Sequence, residues 1–214
     1  PEERLVNFLR AIKLVYASAL NLDVISYRRK RRLVDCDEQM AILVQRVSGR
    51  RHGPFFFPTL AGVALSRNLY VWTDRIDPEQ GLVRLVFGLG TRAVERVGVD
   101  YPRMIAVSHP RLRPERGMKA AKYAQRQVDV IDLSANALAT YPFSHVFPHS
   151  EDIRMHLLVS EIREGDLYDP VSRRLKAGPG DLVLTFNNLI RRTDLISSLG
   201  AIINTLERVY GRPI

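Results

Sequence analysis

The sequence predicts an α+β fold, a mainly antiparallel sheet with packed helices. Two observations carry this prediction. Three apolar, strand-like runs follow one another between Gln39 and Gly90 with no long helix between them, which argues against the βαβ crossovers of a parallel sheet. Near each end of the chain, apolar residues recur at three- and four-residue intervals, a spacing that places them on one face of a helix.

The first helix is predicted over residues 3–20, with an apolar face that packs on the sheet. That face consists of Leu5, Phe8, Leu9, Ile12, Val15, Tyr16 and Leu20. The strands of the sheet are predicted at 40–47, 60–66, 82–87 and 103–107, where β-branched and apolar residues run between Gly, Pro, Asn and Asp.

Residues 50–58 are predicted to form a loop, because one glycine and two prolines interrupt any regular element there. Three consecutive phenylalanines, at 55–57, then need cover, and we expect them to pack a lid or a neighbouring subdomain rather than a base. The turn at 74–81 has two acids close together, Asp74 and Asp77. A solvated turn explains that pair better than a metal site does.

After Arg111 the sequence predicts a short basic helix at 115–127, a strand at 128–133 and a loop at 141–149. Further strands at 155–161 and 182–186 and an amphipathic helix at 193–210 complete the prediction. His145 and His149 have the spacing of helical metal ligands. Pro142 and Pro148 argue against a helix between them, so no metal site is predicted.

Composition is ordinary for a soluble protein: 46% of the 214 residues are hydrophobic and 26% are charged. The single cysteine, Cys36, cannot form an internal disulfide, which agrees with a cytoplasmic location, and no apolar run is long enough for a membrane span. The net charge is +9, with basic residues concentrated at 28–32, 50–52 and 111–126. Without interleaved aromatic residues, these runs favour a solvated face over nucleic-acid binding.

Three motifs occur in an order that resembles the ATP-binding (ATP-grasp) region of phosphoenolpyruvate synthase and pyruvate phosphate dikinase. Residues Val44-Gln45-Arg46-Val47 resemble that family's V-Q-x-M hinge strand. The run from Ala61 to Asn68 resembles its S-G-V-x-F-T-x-x-P strand, and Gly88-Leu89-Gly90 is similar to the start of its G-L-G-E helix. The resemblance includes residues 12–28 and the last ten residues, and it is weakest between 110 and 152.

The resemblance implies an ATP-grasp-like fold and an incomplete domain. The family's phosphate-binding Lys and Arg are expected before Pro1, and its acidic D-I-E-F strand and L-Q-T-R segment after Ile214. On this interpretation, residues 1–110 form the nucleotide-binding core, 111–152 a basic insertion that varies within the family, and 153–214 the last strands and helix of the same domain.

Nine residues are the candidates for nucleotide contacts: Val44, Gln45, Arg46, Val47, Ser66, Arg67, Gly88, Gly90 and Thr91. An adenine ring needs one donor and one acceptor from an extended hinge, and the Gln45 amide offers both. On spacing alone a solvent-facing Gln45 is an equal alternative, and the resemblance favours the nucleotide. Arg67 fits either a phosphate contact or a surface salt bridge.

The glycine turn is predicted to bring backbone N–H groups close to a phosphate. The sequence departs from the family here, because Thr91 stands where the family has an acid after the second glycine. A hydroxyl is a poor substitute for a carboxylate at a magnesium ion, so Glu95 or Asp100 would have to compensate. Otherwise the site is degenerate.

The resemblance therefore implies the ATP-binding fragment of a phosphoenolpyruvate synthase-like phosphotransferase. The full-length parent would use ATP and Mg²⁺ to phosphorylate pyruvate or a related acceptor, by way of a histidine on a separate domain, while the fragment alone is expected to be inactive. Two alternatives stay open. One is a degenerate, non-catalytic sensory or regulatory module with the same fold, and the other is a basic interaction domain for nucleic acid or another protein.

Overall fold

A computed structural model describes residues 2–37, 39–94 and 100–214. The chain divides into two compact units, Pro1–Val47 and Ser48–Ile214. The apolar core belongs to the second unit.

The first unit contains two helices, α1 at Glu2–Ser18 and α2 at Leu22–Lys30. Asn21 caps α2 by accepting a hydrogen bond from the Asp23 amide, and the last turn is basic, which complements the negative end of the helix dipole. The predicted helix at 3–20 is thereby confirmed. Neither helix has a buried residue, and the packing of α1 on a sheet stays a prediction.

The strand predicted at 40–47 is wrong. Residues 39–49 are not part of any strand in the structure. A strand is defined by hydrogen bonds to a neighbour, and no described residue pairs with this run. The apolar pattern is therefore present, but the hydrogen-bonded neighbour that a strand requires is not found among the described residues.

The second unit contains five helices and ten strands in the part of the chain that the structure describes. The helices are α3 Thr91–Val94, α4 Met118–Lys122, α5 Phe143–Val146, α6 Asn187–Arg192 and α7 Leu195–Tyr210. The strands are β1 Arg50–His52, β2 Phe55–Phe57, β3 Ala61–Leu65, β4 Leu82–Val86, β5 Arg103–Ala106, β6 Gln127–Asp132, β7 Ala137–Pro142, β8 Val159–Arg163, β9 Asp166–Tyr168 and β10 Leu182–Leu184.

The strands form three antiparallel sheets, in the orders β1-β2-β6-β7, β3-β4-β5 and β10-β8-β9. The α+β class with mainly antiparallel pairing is thereby confirmed. The middle sheet consists of three strands that were predicted from sequence, with Gly62 opposite Leu85 and Val83 opposite Ile105. Gly62 is required in this sheet, because a Cβ atom there would lie 2.2 Å from the Arg84 carbonyl oxygen.

The loop predicted at 50–58 is instead a β-hairpin, β1-β2, whose second strand pairs with β6. Gly53, with a φ of +57°, and Pro54 form its two-residue turn, so the residues that indicated a loop occupy only the turn. Phe55 and Phe57 point into the core, where the Phe57 side chain is completely buried against Phe87. Phe55 and Phe57 therefore serve the core of the unit and not a lid, while Phe56 is half-buried.

The second half of the chain departs from the prediction at two predicted segments, and it contains three elements that were not predicted, β7, β9 and α6. The loop predicted at 141–149 is wrong: residues 141–142 end β7, and residues 143–149 form α5 and a short 3-10 turn. Pro142 precedes α5 and Pro148 lies in the first turn of the 3-10 segment, where proline is tolerated. The strand predicted at 155–161 begins later, as β8, after a 3-10 turn at Met155–Leu157. The elements β6, β10, α4 and α7 lie where expected, with α4 shorter than predicted.

One apolar core receives side chains from all three sheets. The first sheet contributes Phe57 and Val130, the middle sheet Val83 and Ile105, and the third sheet Leu184. Residues between 111 and 152 thus supply part of the same core as the rest of the unit. The predicted division of the chain into a core, a variable insertion and a last segment, at residues 110 and 152, stays a prediction.

Candidate functional site

The nine predicted nucleotide residues are divided between the two units. Val44, Gln45, Arg46 and Val47 lie in the first unit, in a run without regular secondary structure where all four side chains are exposed. Ser66, Arg67, Gly88, Gly90 and Thr91 lie in the second unit. An exposed hinge can offer its backbone groups to a ligand.

The glycine turn at 88–90 connects β4 to α3 and is fastened to β6. The Leu89 N–H donates to the carbonyl oxygen of Asp129 at 2.9 Å. Gln125 holds both backbone groups of Phe87, with its Oε1 and Nε2 each 2.8 Å from them. The Leu89 amide, one of the groups predicted to approach a phosphate, is therefore already engaged within the protein.

Gly88 is needed because the turn lies close against β6. Its φ is +88°, and a Cβ atom there would be 2.8 Å from the Asp129 carbonyl oxygen and 2.5 Å from a Val128 methyl group. Gly90 has more space, since the nearest atom to its Cβ position is the Ala61 Cβ at 3.4 Å. Of the two predicted glycines, Gly88 has a structural reason that is independent of any ligand.

Thr91 lies beside a carboxylate that the sequence does not place near it. Its hydroxyl donates to Asp129 Oδ2 at 2.5 Å, across a separation of 38 residues. The acid that the family carries after the second glycine is absent at position 91, yet β6 brings an acid to the same place.

Asp129 is the centre of a buried polar cluster. Arg92 Nε and the Thr140 hydroxyl donate to its Oδ1 at 3.0 and 2.6 Å, in addition to the bond from Thr91. Burial alone would raise the pKa of Asp129. The hydrogen bonds from Thr140 and Thr91, with the charge and hydrogen bond of Arg92, outweigh burial and lower it below the usual value.

The other end of this cluster is Asp100. The Arg92 Nη1 atom donates to Asp100 Oδ2 at 2.9 Å, and the same carboxylate accepts from the backbone amides of Arg126 and Gln127 at 3.0 and 2.8 Å. Asp100 was one of two acids expected to compensate for Thr91, and its carboxylate is occupied by the fold. The other, Glu95, lies outside the described residues.

Sequence reasoning missed Arg92, Asp129 and Thr140. One signal was available for Asp129: it stands between two valines at the centre of a strand, and a buried acid requires partners. Nothing in the sequence identifies those partners, since they come from α3 and β7.

Ser66 and Arg67 are both engaged within the protein. Ser66 is fully buried, and its amide donates to the carbonyl oxygen of Ile214 at 2.9 Å, while its hydroxyl accepts from the Ile214 amide at 2.9 Å. Arg67 forms an ion pair with Glu79 and approaches Glu207 at 3.6 Å. The surface salt bridge, which was the alternative for Arg67, is therefore formed.

His145 and His149 lie against aromatic rings. The His145 ring is 4.9 Å from that of Tyr141, and the His149 ring is 5.3 Å from that of Phe55. Among the described residues, no three His, Cys, Asp or Glu side chains converge as metal ligands would. None of the helices in that same part of the chain has the length and apolarity of a membrane span.

Comparison with known families defines the class of this chain. The model of the pyruvate phosphate dikinase AMP/ATP-binding domain matches residues 3–214. The chain belongs to that family, and the match covers the segment at 110–152 in which the motif resemblance was weakest. No curated protein and no solved structure matches the chain significantly.

Proposed function

We propose that this chain is the ATP-binding part of a phosphoenolpyruvate synthase-like phosphotransferase, which phosphorylates pyruvate or a related acceptor. The observation that carries the proposal is the family match along residues 3–214, because that family is defined by AMP/ATP binding. The motif order supports it as well: the hinge-like run at 44–47 precedes β3, β4 and the glycine turn, as it does in the family.

In this proposal the hinge recognises the base. Gln45 donates and accepts through its amide, and Val44, Arg46 and Val47 supply extended backbone and apolar surface to the adenine. Their exposed side chains support this role, since a ligand could reach them. Arg67 would exchange its exposed ion pair with Glu79 for a phosphate, at small cost because surface ion pairs are weak.

The glycine turn acts on the phosphate side. Gly88 and Ser66 are positioning residues, because both are occupied by contacts that fix β3 and β4. Gly90 and Thr91 would face the nucleotide, and Asp129 would hold the Thr91 hydroxyl in place through its 2.5 Å hydrogen bond. Magnesium would then be held chiefly by the nucleotide phosphates, as is usual for this ion.

The degenerate, non-catalytic module is the second candidate. It is favoured by Thr91, which supplies no carboxylate for a cation, and by Asp129, whose carboxylate already accepts from Thr91, Arg92 and Thr140. The two candidates differ in their dependence on magnesium. An intact site binds ATP more tightly with Mg²⁺, whereas a degenerate site binds a nucleotide weakly and without that dependence.

Calorimetry on the full-length parent tests the proposal. We expect Mg²⁺-dependent ATP binding that Gln45→Ala weakens by about 1–3 kcal/mol, the usual cost of removing a buried polar contact. The matched control is Gln39→Ala. It removes a second exposed glutamine side chain from the same irregular run and should leave the affinity for ATP unchanged. Equal effects of the two substitutions would contradict the hinge assignment.

Phosphate transfer is the decisive measurement for the enzyme. With ATP, Mg²⁺ and pyruvate present, the full-length parent should consume ATP and phosphorylate the acceptor. ATP binding without transfer would favour the non-catalytic module, and absence of both would overturn the nucleotide assignment.

A further inference from the structure

Two arginines of the second unit, Arg103 and Arg113, form no ion pair within 4 Å among the described residues, although Glu115 acts on both electrostatically. Arg103 lies on β5 and is only 6% exposed, and Arg113 is half-buried in the segment that follows. The Nε atom of each is buried and has no hydrogen-bond partner among the described residues. Arg113 reaches one polar group, the Asn187 Oδ1 atom, at 3.4 Å.

The electrostatics of this pair are unfavourable in the protein alone. Burial, and after it the charge of Arg113, lower the pKa of Arg103 to about 9, while Glu115 opposes the shift. Burial also lowers the pKa of Arg113. A guanidinium normally keeps its proton far above this range, and a buried cation without a counter-ion carries a large desolvation cost. An anion between the two side chains would remove that cost.

A cavity of about 380 Å³ gives access to both arginines. Arg111 and Arg191 line it too, so that four arginines line one space. The single acid in its lining, Asp169, already accepts from Asn187 and Ser160 and pairs with Arg191. The lining therefore keeps a surplus of positive charge, in a volume typical of small-molecule sites.

We propose that Arg103 and Arg113 form a binding site for the phosphate group of a small anion, with Arg111 and Arg191 at its entrance. Guanidinium groups match a phosphate in geometry and bind it through paired N–H donors. A phosphate carries enough charge to balance both arginines, whereas one carboxylate balances only one. The site goes beyond the proposed nucleotide function, since neither arginine is among the residues assigned to ATP.

The test is to titrate the chain with inorganic phosphate at constant ionic strength and to measure the binding affinity by calorimetry. Arg103→Met and Arg113→Met keep the apolar length of each side chain and remove its charge. Each should weaken phosphate binding about tenfold or more, as expected for lost charge-assisted hydrogen bonds. Arg116→Met is the matched control, because Arg116 is exposed, lies in the same segment as Arg113 and does not line this cavity.

Thermal unfolding separates ligand binding from a purely structural role. Phosphate should raise the melting temperature of the unsubstituted chain more than sodium chloride of equal ionic strength does, because a ligand stabilises the state that binds it. In Arg103→Met this extra increase should disappear. Without phosphate, the variant should melt at the same temperature as the unsubstituted chain or higher, because a buried charge has been removed. Arg103→Lys should restore only part of the binding, because an ammonium lacks the guanidinium fork.

The outcomes also separate this site from the nucleotide site and identify the source of the phosphate. Gln45→Ala should leave phosphate binding intact, and a phosphate monoester such as glycerol 3-phosphate should displace phosphate if the natural ligand is a metabolite. Displacement by ATP, equal in the unsubstituted chain and in Gln45→Ala, would identify a nucleotide phosphate as the source. No phosphate binding by the unsubstituted chain, or unchanged binding in Arg103→Met, would overturn the proposal.

Discussion

At the scale of single residues, Asp129 connects the glycine turn to the sheet behind it. Its carboxylate accepts hydrogen bonds from Thr91 and Arg92 of α3 and from Thr140 of β7. Replacing it with asparagine should lower the free energy of unfolding by about 3 kcal/mol, because Arg92 would lose one of its two buried partners. Urea unfolding measures this change.

The control for Asp129→Asn is Asp166→Asn, which alters an exposed acid on β9 and should shift the unfolding free energy by less than about 0.5 kcal/mol. Equal effects of the two substitutions would show that the polar cluster around Asp129 contributes nothing to stability.

The lowered pKa of Asp129 predicts how stability depends on pH. A carboxylate whose pKa is lowered by folding stabilises the protein above the pKa of the unfolded chain, about 3.9, and that contribution is lost as pH falls through the lower, folded value. The difference in unfolding free energy between the unsubstituted chain and Asp129→Asn should therefore be constant above about pH 5. It should shrink towards pH 2. A difference that does not change with pH would contradict the assignment.

The residues of the candidate site were predictable only in part. Gly88, Gly90 and Thr91 could be found because the turn is a continuous motif after an apolar strand. The acid beside Thr91 could not, because Asp129 is 38 residues away and reaches it only through the position of β6 next to the turn. Sequence spacing carries no information about such a contact.

At the scale of elements, the glycine turn can be tested by two alanine substitutions. Gly88→Ala should destabilise the protein by at least about 2 kcal/mol, because it combines a positive φ with a Cβ atom 2.8 Å from a carbonyl oxygen of β6. Gly90→Ala should cost less than about 1 kcal/mol, since its Cβ position is nearly free. Unfolding midpoints in urea give the comparison, and a reversed order would refute this description of the turn.

The hairpin β1-β2 provides a second test at this scale. Phe57 is completely buried, so Phe57→Ala should lower the free energy of unfolding by about 3–5 kcal/mol. Phe56 is half-buried, so Phe56→Ala should lower it clearly less. The same unfolding measurement applies to both variants. Similar, small losses in both would instead support the lid that the sequence suggested.

The elements show which sequence patterns were sufficient. The strands β3, β4 and β5 were predicted because they are continuous apolar runs between turn residues, and they pair with one another. The hairpin at 50–57 was missed because Arg50-Arg51-His52 has no apolar alternation and Gly53-Pro54 indicated a break. The strand at 40–47 had the right composition but no described partner, and composition alone cannot supply one.

At the scale of the whole molecule, the second unit has a core of its own. The core side chains lie between Phe55 and Ile196, whereas no residue of α1 or α2 is buried. A fragment of residues 48–214 should therefore unfold cooperatively in urea and give a dispersed amide spectrum by nuclear magnetic resonance. A fragment without a cooperative transition would show that this core is insufficient.

The contact between Ser66 and Ile214 constrains the order in which the chain can fold during synthesis. The two residues are separated by 148 positions, and Ile214 occupies the position next to the end of β3. At a ribosomal rate of about 5–20 residues per second, roughly 7–30 s pass between their synthesis. During that interval the outer edge of β3 lacks this partner, and an uncovered strand edge is where nascent chains associate wrongly, so this edge is where a chaperone would act.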